Sequence, residues 1–336
     1  METKKRNNSI DLFRYICAVL VVIIHTEPFY HGDLSGVGIF LKEFLARVAV
    51  PFFFAVSGYF LFQKIDRDPK APFRSAWRLT KVYLLWSVPY LLIDGWVLKD
   101  NLLEFLKRTV LGIFLNGTYS HFWFFPGLIY ATLIGGLIYR FLGWKPLVGL
   151  AMALYAIGVL GSTYPIPYLS DAFASEYFTP IYRIAMTAIP FVVLGGWVAR
   201  RGCDAVVSYR HNQSYDWWIL SGVGAAFVLE KCILIWTGLP IIHPNTWMLL
   251  PLTAVILTLL LKHPLERHTT LAAHARTCAN FTYYIHMAFI LIVGRGFVKV
   301  FGVPLDGFGM FIVTVAVLTA IGALLHHVKW IRKWLN

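Results

Sequence analysis

Apolar runs long enough to cross a bilayer recur along the whole chain, separated by short polar or basic loops. A helix rising about 1.5 Å per residue needs about 20 residues to cover about 30 Å of hydrocarbon. A window of that length predicts ten spans, near residues 10–26, 44–62, 78–98, 122–142, 146–162, 180–199, 216–236, 247–262, 279–300 and 310–329. The stretch 100–117 sets Glu104, Lys107 and Arg108 beside an apolar face, the pattern of an interfacial or re-entrant helix. With no repeat period and no low-complexity tract, residues 1–336 read as a single transmembrane domain, an all-α polytopic bundle.

Composition agrees and excludes the alternatives. Hydrophobic residues make up 58% of the 336, charged residues only 14%, and mean hydropathy is +0.65, which rules out a soluble globule and a disordered chain. The formal net charge of +13 does not point to nucleic acid, because the basic residues lie between apolar runs and not in one patch. Twenty of the 30 Lys and Arg fall in one alternate set of loops, which by the positive-inside rule places both termini in the cytoplasm, and an even span count agrees in putting them on one side. The expected location is the plasma (inner) membrane. The basic N-terminus imitates a secretory signal, but without a small-residue cleavage site it reads as a retained first helix. Trp96, Trp123, Trp236, Trp247 and Trp330 lie near span ends, where an aromatic belt is expected. Cys17, Cys203, Cys232 and Cys278 are too scattered for a disulfide framework and are expected to be reduced.

An ionisable group inside hydrocarbon costs a few kcal/mol and is a functional candidate when it faces the bundle interior. The first span holds three. Arg14 and His25 are eleven residues apart, about 20° beyond three full turns, so they share a face about 16 Å apart along the axis. Asp11, three residues before Arg14, can pair with it near the cytoplasmic end, where a basic group would meet an anionic ligand. The plainer reading has Arg14 snorkelling to headgroups and His25 marking the outer boundary. Ser57-Gly58, in a run of aromatics, permits close helix approach, and Ser57 is also a candidate ligand contact. Arg74 and Arg78, on one face before the third span, suit phosphates or plain membrane anchoring. His121 falls on the same outer side as His25, and His286 lies near mid-membrane beside Tyr283 and Tyr284. Arg183, Glu230 and Lys231 are not explained by anchoring, and adjacent Glu230 and Lys231 call for separate partners. No metal site is expected, since no span carries His-x-x-x-His, His-Glu-x-x-His or paired cysteines.

Together, Arg-x10-His (Arg14 to His25), Phe-x-x-Ser-Gly-Tyr (Phe54 to Tyr59), His-x-Trp-Phe (His121 to Phe124) and Tyr-x-x-His (Tyr283 to His286) resemble the acyltransferase 3 family over nearly the whole chain. The resemblance implies a membrane-bound O-acyltransferase that takes an acyl group, usually acetyl, from cytoplasmic acetyl-CoA. The acceptor it implies is a hydroxyl of a surface polysaccharide, peptidoglycan or a lipid-linked sugar. It implies His25 as the catalytic histidine and Arg14, which spacing pairs with Asp11, as support for acyl-CoA, and it brings Arg74 and Arg78 toward the CoA phosphates. His121, Ser57, His286 and a tyrosine stay open as oxyanion stabilisers. No racemase or hydrolase-like domain follows the tenth span, so a stand-alone member is expected. The first two spans are also similar to the membrane portions of vancomycin-resistance serine racemases. That likeness carries the alternative of a transporter for a small polar solute or an amino acid such as serine.

Overall fold

A computed structural model describes residues 7–97, 101–164, 166, 178–201, 213–241, 245–267 and 269–335. Among these the chain is helical and holds no strand. In order, α1 is Asn8–Thr26, α2 Ser35–Ile65, α3 Ala71–Val97 and α4 Leu102–Leu111. Next come α5 Ser120–Leu142, α6 Trp144–Ser162, α7 Phe178–Arg201 and α8 Gln213–Trp236. The last are α9 Leu249–Lys262, α10 Thr269–Phe301, α11 Gly307–His326 and α12 Lys329–Leu335.

Among the described residues a helix stands at each of the ten expected places, and eight of these are long and apolar enough to cross a membrane. The protein is thus an all-α, polytopic membrane protein. The two outside that set are α3, whose first turns carry Arg74, Arg78 and Lys81, and α9, which has only 14 residues. Hydrophobic periodicity does not reveal the wider π-turns at Phe40–Leu45 in α2 and Tyr182–Ala188 in α7, where the backbone hydrogen bond skips to the fifth residue. Lys4, Lys5, Arg6, Lys99, Cys203, Arg210 and the Trp96 side chain lie outside the described residues. Cys17, Cys232 and Cys278 are free thiols, although Cys232 is exposed.

The chain divides into two compact units, Met1–Phe53 with Leu259–Asn336, and Phe54–Thr258. In the first, α1, α10 and α11 pack together. Asn7 caps α1 by accepting from the Ile10 amide. Asn7, Asn8 and Ser9 donate side-chain hydrogen bonds to the carbonyls of Leu260, Leu265 and His263, at 2.9, 2.8 and 2.9 Å. Three polar residues thereby satisfy carbonyls that the end of α9 leaves open. The partner α11 runs antiparallel to α1 and α10. Its first residue, Gly307, would place a Cβ 2.5 Å from the Thr26 carbonyl oxygen, and Gly322 near its end abuts Cys278. Tyr15 bonds Thr319 at 2.5 Å across the same contact.

In the second unit small residues again set helix distances. A Cβ on Gly58 would collide with the Val192 carbonyl oxygen, and one on Gly195 with that of Ala55, so α2 and α7 touch backbone to backbone. Polar side chains tie other contacts: Tyr83 donates to the Gly112 carbonyl at 2.9 Å, and buried Asn245 donates to the Met186 carbonyl at 3.0 Å. Overpacking costs about 1–3 kcal/mol. Gly195→Val is therefore expected to lower the thermal unfolding midpoint in detergent. Gly224→Ala, with nothing within 4 Å of the new methyl, should leave it unchanged or raised.

Candidate functional site

The first unit brings together two histidines that the sequence holds 261 positions apart. His25 sits half-buried in the last turn of α1, and His286 is fully buried in the middle of α10. Their ring centroids are 5.2 Å apart, inclined by 41°. His286 Nδ1 lies 3.1 Å from the Thr282 carbonyl oxygen and 3.0 Å from that of Tyr283. A carbonyl only accepts, so this nitrogen carries the proton of neutral His286 and Nε2 is left as an acceptor. Two neighbouring imidazoles, one with its tautomer set by backbone, are an arrangement that can move a proton.

The chain beyond His25 is held under strain. Glu27 ends α1 in the left-handed region at φ 50° and Phe29 follows at φ 60°, two non-glycine residues within three positions. Phe29 stacks on Phe308 with ring centroids 4.6 Å apart. Gly38 leaves no room for a side chain against the Phe29 carbonyl. Lys42 Nζ reaches Glu27 Oε1 at 2.5 Å and stands 4.4 Å above the Tyr30 ring. Behind it Glu43, with no exposed side-chain surface, accepts from Arg47 Nε and Nη2 at 2.8 and 2.5 Å. The one sign of this network in the sequence is the Glu43 to Arg47 spacing of four.

At the other end of α1, Arg14 Nη1 stands 3.9 Å from Asp11 Oδ1, with side chains 22% and 6% exposed. The pairing expected from their spacing is present, and one straight helix carries an ion pair near its start and an imidazole at its end.

The remaining candidates belong to the second unit. His121 is buried in a 3-10 turn, with the Phe122 and Tyr90 rings at 4.1 and 5.1 Å. Ser57 is half-buried beside the Gly58 contact with α7. Arg74 is exposed and pairs with Asp68 at 2.6 Å, and Arg78 is exposed one turn on. Trp123, placed by sequence in an aromatic belt, is half-buried with the Arg183 guanidinium 5.3 Å from its ring. That contact gives Arg183 a partner.

The profile described as acyltransferase domain, of the acyltransferase 3 type, matches residues 7–325. The chain belongs to the acyltransferase 3 family. An amino-acid racemase of Enterococcus faecalis is 30% identical over 287 residues, covering 77% of this chain and 38% of that protein. A serine/alanine racemase of Enterococcus gallinarum is 32% identical over 187 residues, 53% of this chain and 26% of that one. The chain thus spans well under half the length of these curated relatives. No solved structure matches it.

This member of the family also has charged residues whose work is architectural. Glu230 accepts from the Tyr164 hydroxyl and from the backbone amides of Trp247 and Met248, all at 2.8 Å. Those amides open α9, where a carboxylate meets the positive end of the helix dipole. Lys231 donates instead to the Ile241 carbonyl at 2.9 Å, so the neighbours have separate partners, as expected. Glu230→Ala should destabilise the protein by about 1–3 kcal/mol through orphaned amides. Thermal unfolding is expected to show that loss while activity per folded molecule stays near wild type.

Proposed function

We propose that this membrane acyltransferase moves an acetyl group from cytoplasmic acetyl-CoA to a hydroxyl of a cell-surface glycan, with His25 as general base. The reading rests chiefly on one observation, the meeting of His25 with buried His286. In the proposed step His25 accepts the hydroxyl proton as the acceptor oxygen bonds to the acetyl carbonyl carbon, and the carbon–sulfur bond then breaks to release CoA. Imidazole suits this role because it exchanges protons near neutral pH. When His25 holds that proton both its ring nitrogens are donors, and the Nε2 acceptor of His286 is the group to receive the second. Arg14, tied to Asp11, holds the donor's anionic part. Arg74 and Arg78, exposed at the start of α3, meet CoA phosphates in this proposal. The assignment to the plasma membrane, ten spans and cytoplasmic termini belongs to the same proposal, as do surface polysaccharide, peptidoglycan or a lipid-linked sugar as acceptor.

A second reading has a specific support, the names of the relatives. Proteins named amino-acid and serine/alanine racemases share this region, which fits a membrane part that carries serine or a similar amino acid.

Purified protein in nanodiscs, given acetyl-CoA and a mixture of surface-glycan acceptors, is expected to release free CoA in step with acetylated product. His25→Ala should lower that rate by about 10²–10⁴-fold while the protein remains folded. Serine uptake into proteoliposomes without CoA release would replace this reading with the transporter. Arg14→Ala is expected to raise KM for acetyl-CoA roughly tenfold or more, as loss of one charge-assisted contact does, with a smaller change in kcat.

A further inference from the structure

At the end of the bundle where α10 begins and α11 finishes, three histidines meet that acyl transfer does not use. His274 lies in the second turn of α10, and His326 and His327 close α11. We infer that His274 and His327 form a two-histidine site for a divalent transition-metal ion of the zinc class, clipping these two helix ends together.

The geometry fits a shared ion better than a hydrogen bond. His274 Nε2 and His327 Nε2 are 3.5 Å apart, with ring centroids at 5.2 Å inclined by 60°. An N–H···N bond at that length is at its outer limit. Two imidazole nitrogens each about 2.0–2.1 Å from one tetrahedral zinc stand about 3.4 Å apart. The outer support is also in place: His274 Nδ1 lies 2.8 Å from the Thr270 carbonyl oxygen, so it carries the proton and Nε2 keeps the lone pair a metal needs. His326 packs its ring 4.0 Å from that of His274 and is itself held through Nδ1 by Thr277 at 2.8 Å, which fixes the wall of the site. His327 is exposed and His274 half-buried, so an ion has a path in.

Among the described residues no group of three or more His, Cys, Asp or Glu stands in metal-binding geometry, and the remaining coordination positions fall to water. Nitrogen ligands without carboxylate select zinc, nickel or copper over magnesium and calcium. His274 precedes His286 by twelve residues, about 18 Å along the helix, which separates the site from the His25 pair.

The test uses the full chain without a polyhistidine tag, in nanodiscs, dialysed to equilibrium against zinc. One zinc per chain is expected, with magnesium giving none. His274→Ala and His327→Ala should each weaken zinc binding about tenfold or more, and His327→Cys, a replacement ligand, should restore it. Cobalt on the unaltered chain should give the intense visible bands of a tetrahedral site, a readout that depends on no variant folding. Absence of zinc uptake by the unaltered chain, or equal uptake by both alanine variants, would overturn the assignment.

Discussion

The hydrocarbon of a bilayer offers no water, so a buried polar atom that finds no partner in the bundle is left at a cost of several kcal/mol. The rest of this structure is arranged around that constraint. Asn7, Asn8 and Ser9 supply donors to carbonyls at the end of α9. Glu230 supplies an acceptor to the two amides at its start. His286 places its one proton against two carbonyls of its own helix. A side chain that meets its needs from local backbone can be carried to the middle of a span, and that is how an imidazole comes to stand beside His25.

The same economy explains the glycines. Where α2 meets α7, and where α11 meets α1 and α10, a methyl group would strike a carbonyl or a neighbouring backbone atom. Close backbone contact replaces the hydrophobic driving force that lipid removes, and it fixes helix positions finely enough to hold two rings 5.2 Å apart. The strained turn at Glu27 and Phe29, clamped by the Lys42–Glu27 pair, closes the helix just past His25. Strain of this kind persists only where surrounding contacts over-determine it.

What periodicity could reach was read from the chain alone. Hydropathy located the helices, and 3.6-residue geometry put Arg14 and His25 on one face and Asp11 within reach of Arg14. The same geometry separates the partners of adjacent Glu230 and Lys231. Everything that depends on contact between distant segments was out of reach. His286 drew notice as a mid-membrane histidine, but nothing in its neighbourhood names His25 as its companion. Glu230 looked like a functional charge because the amides it caps belong to another helix. Buried Glu43 falls just before the expected start of the second span at residue 44, whereas the helix itself begins at Ser35 and carries Glu43 inside it. Ligand spacing within one span cannot reveal His274 and His327, because they come from two helices.

The central claim is that His25 and His286 act as one chemical centre. It is tested most directly by a double-mutant cycle on the acetyl-transfer rate, comparing His25→Ala, His286→Gln and the pair in the same nanodisc preparation. Residues that act as a unit give strongly non-additive losses. The account predicts a double variant hardly slower than the slower single one. Losses that multiply in full would show that the two histidines serve separate ends and would contradict it.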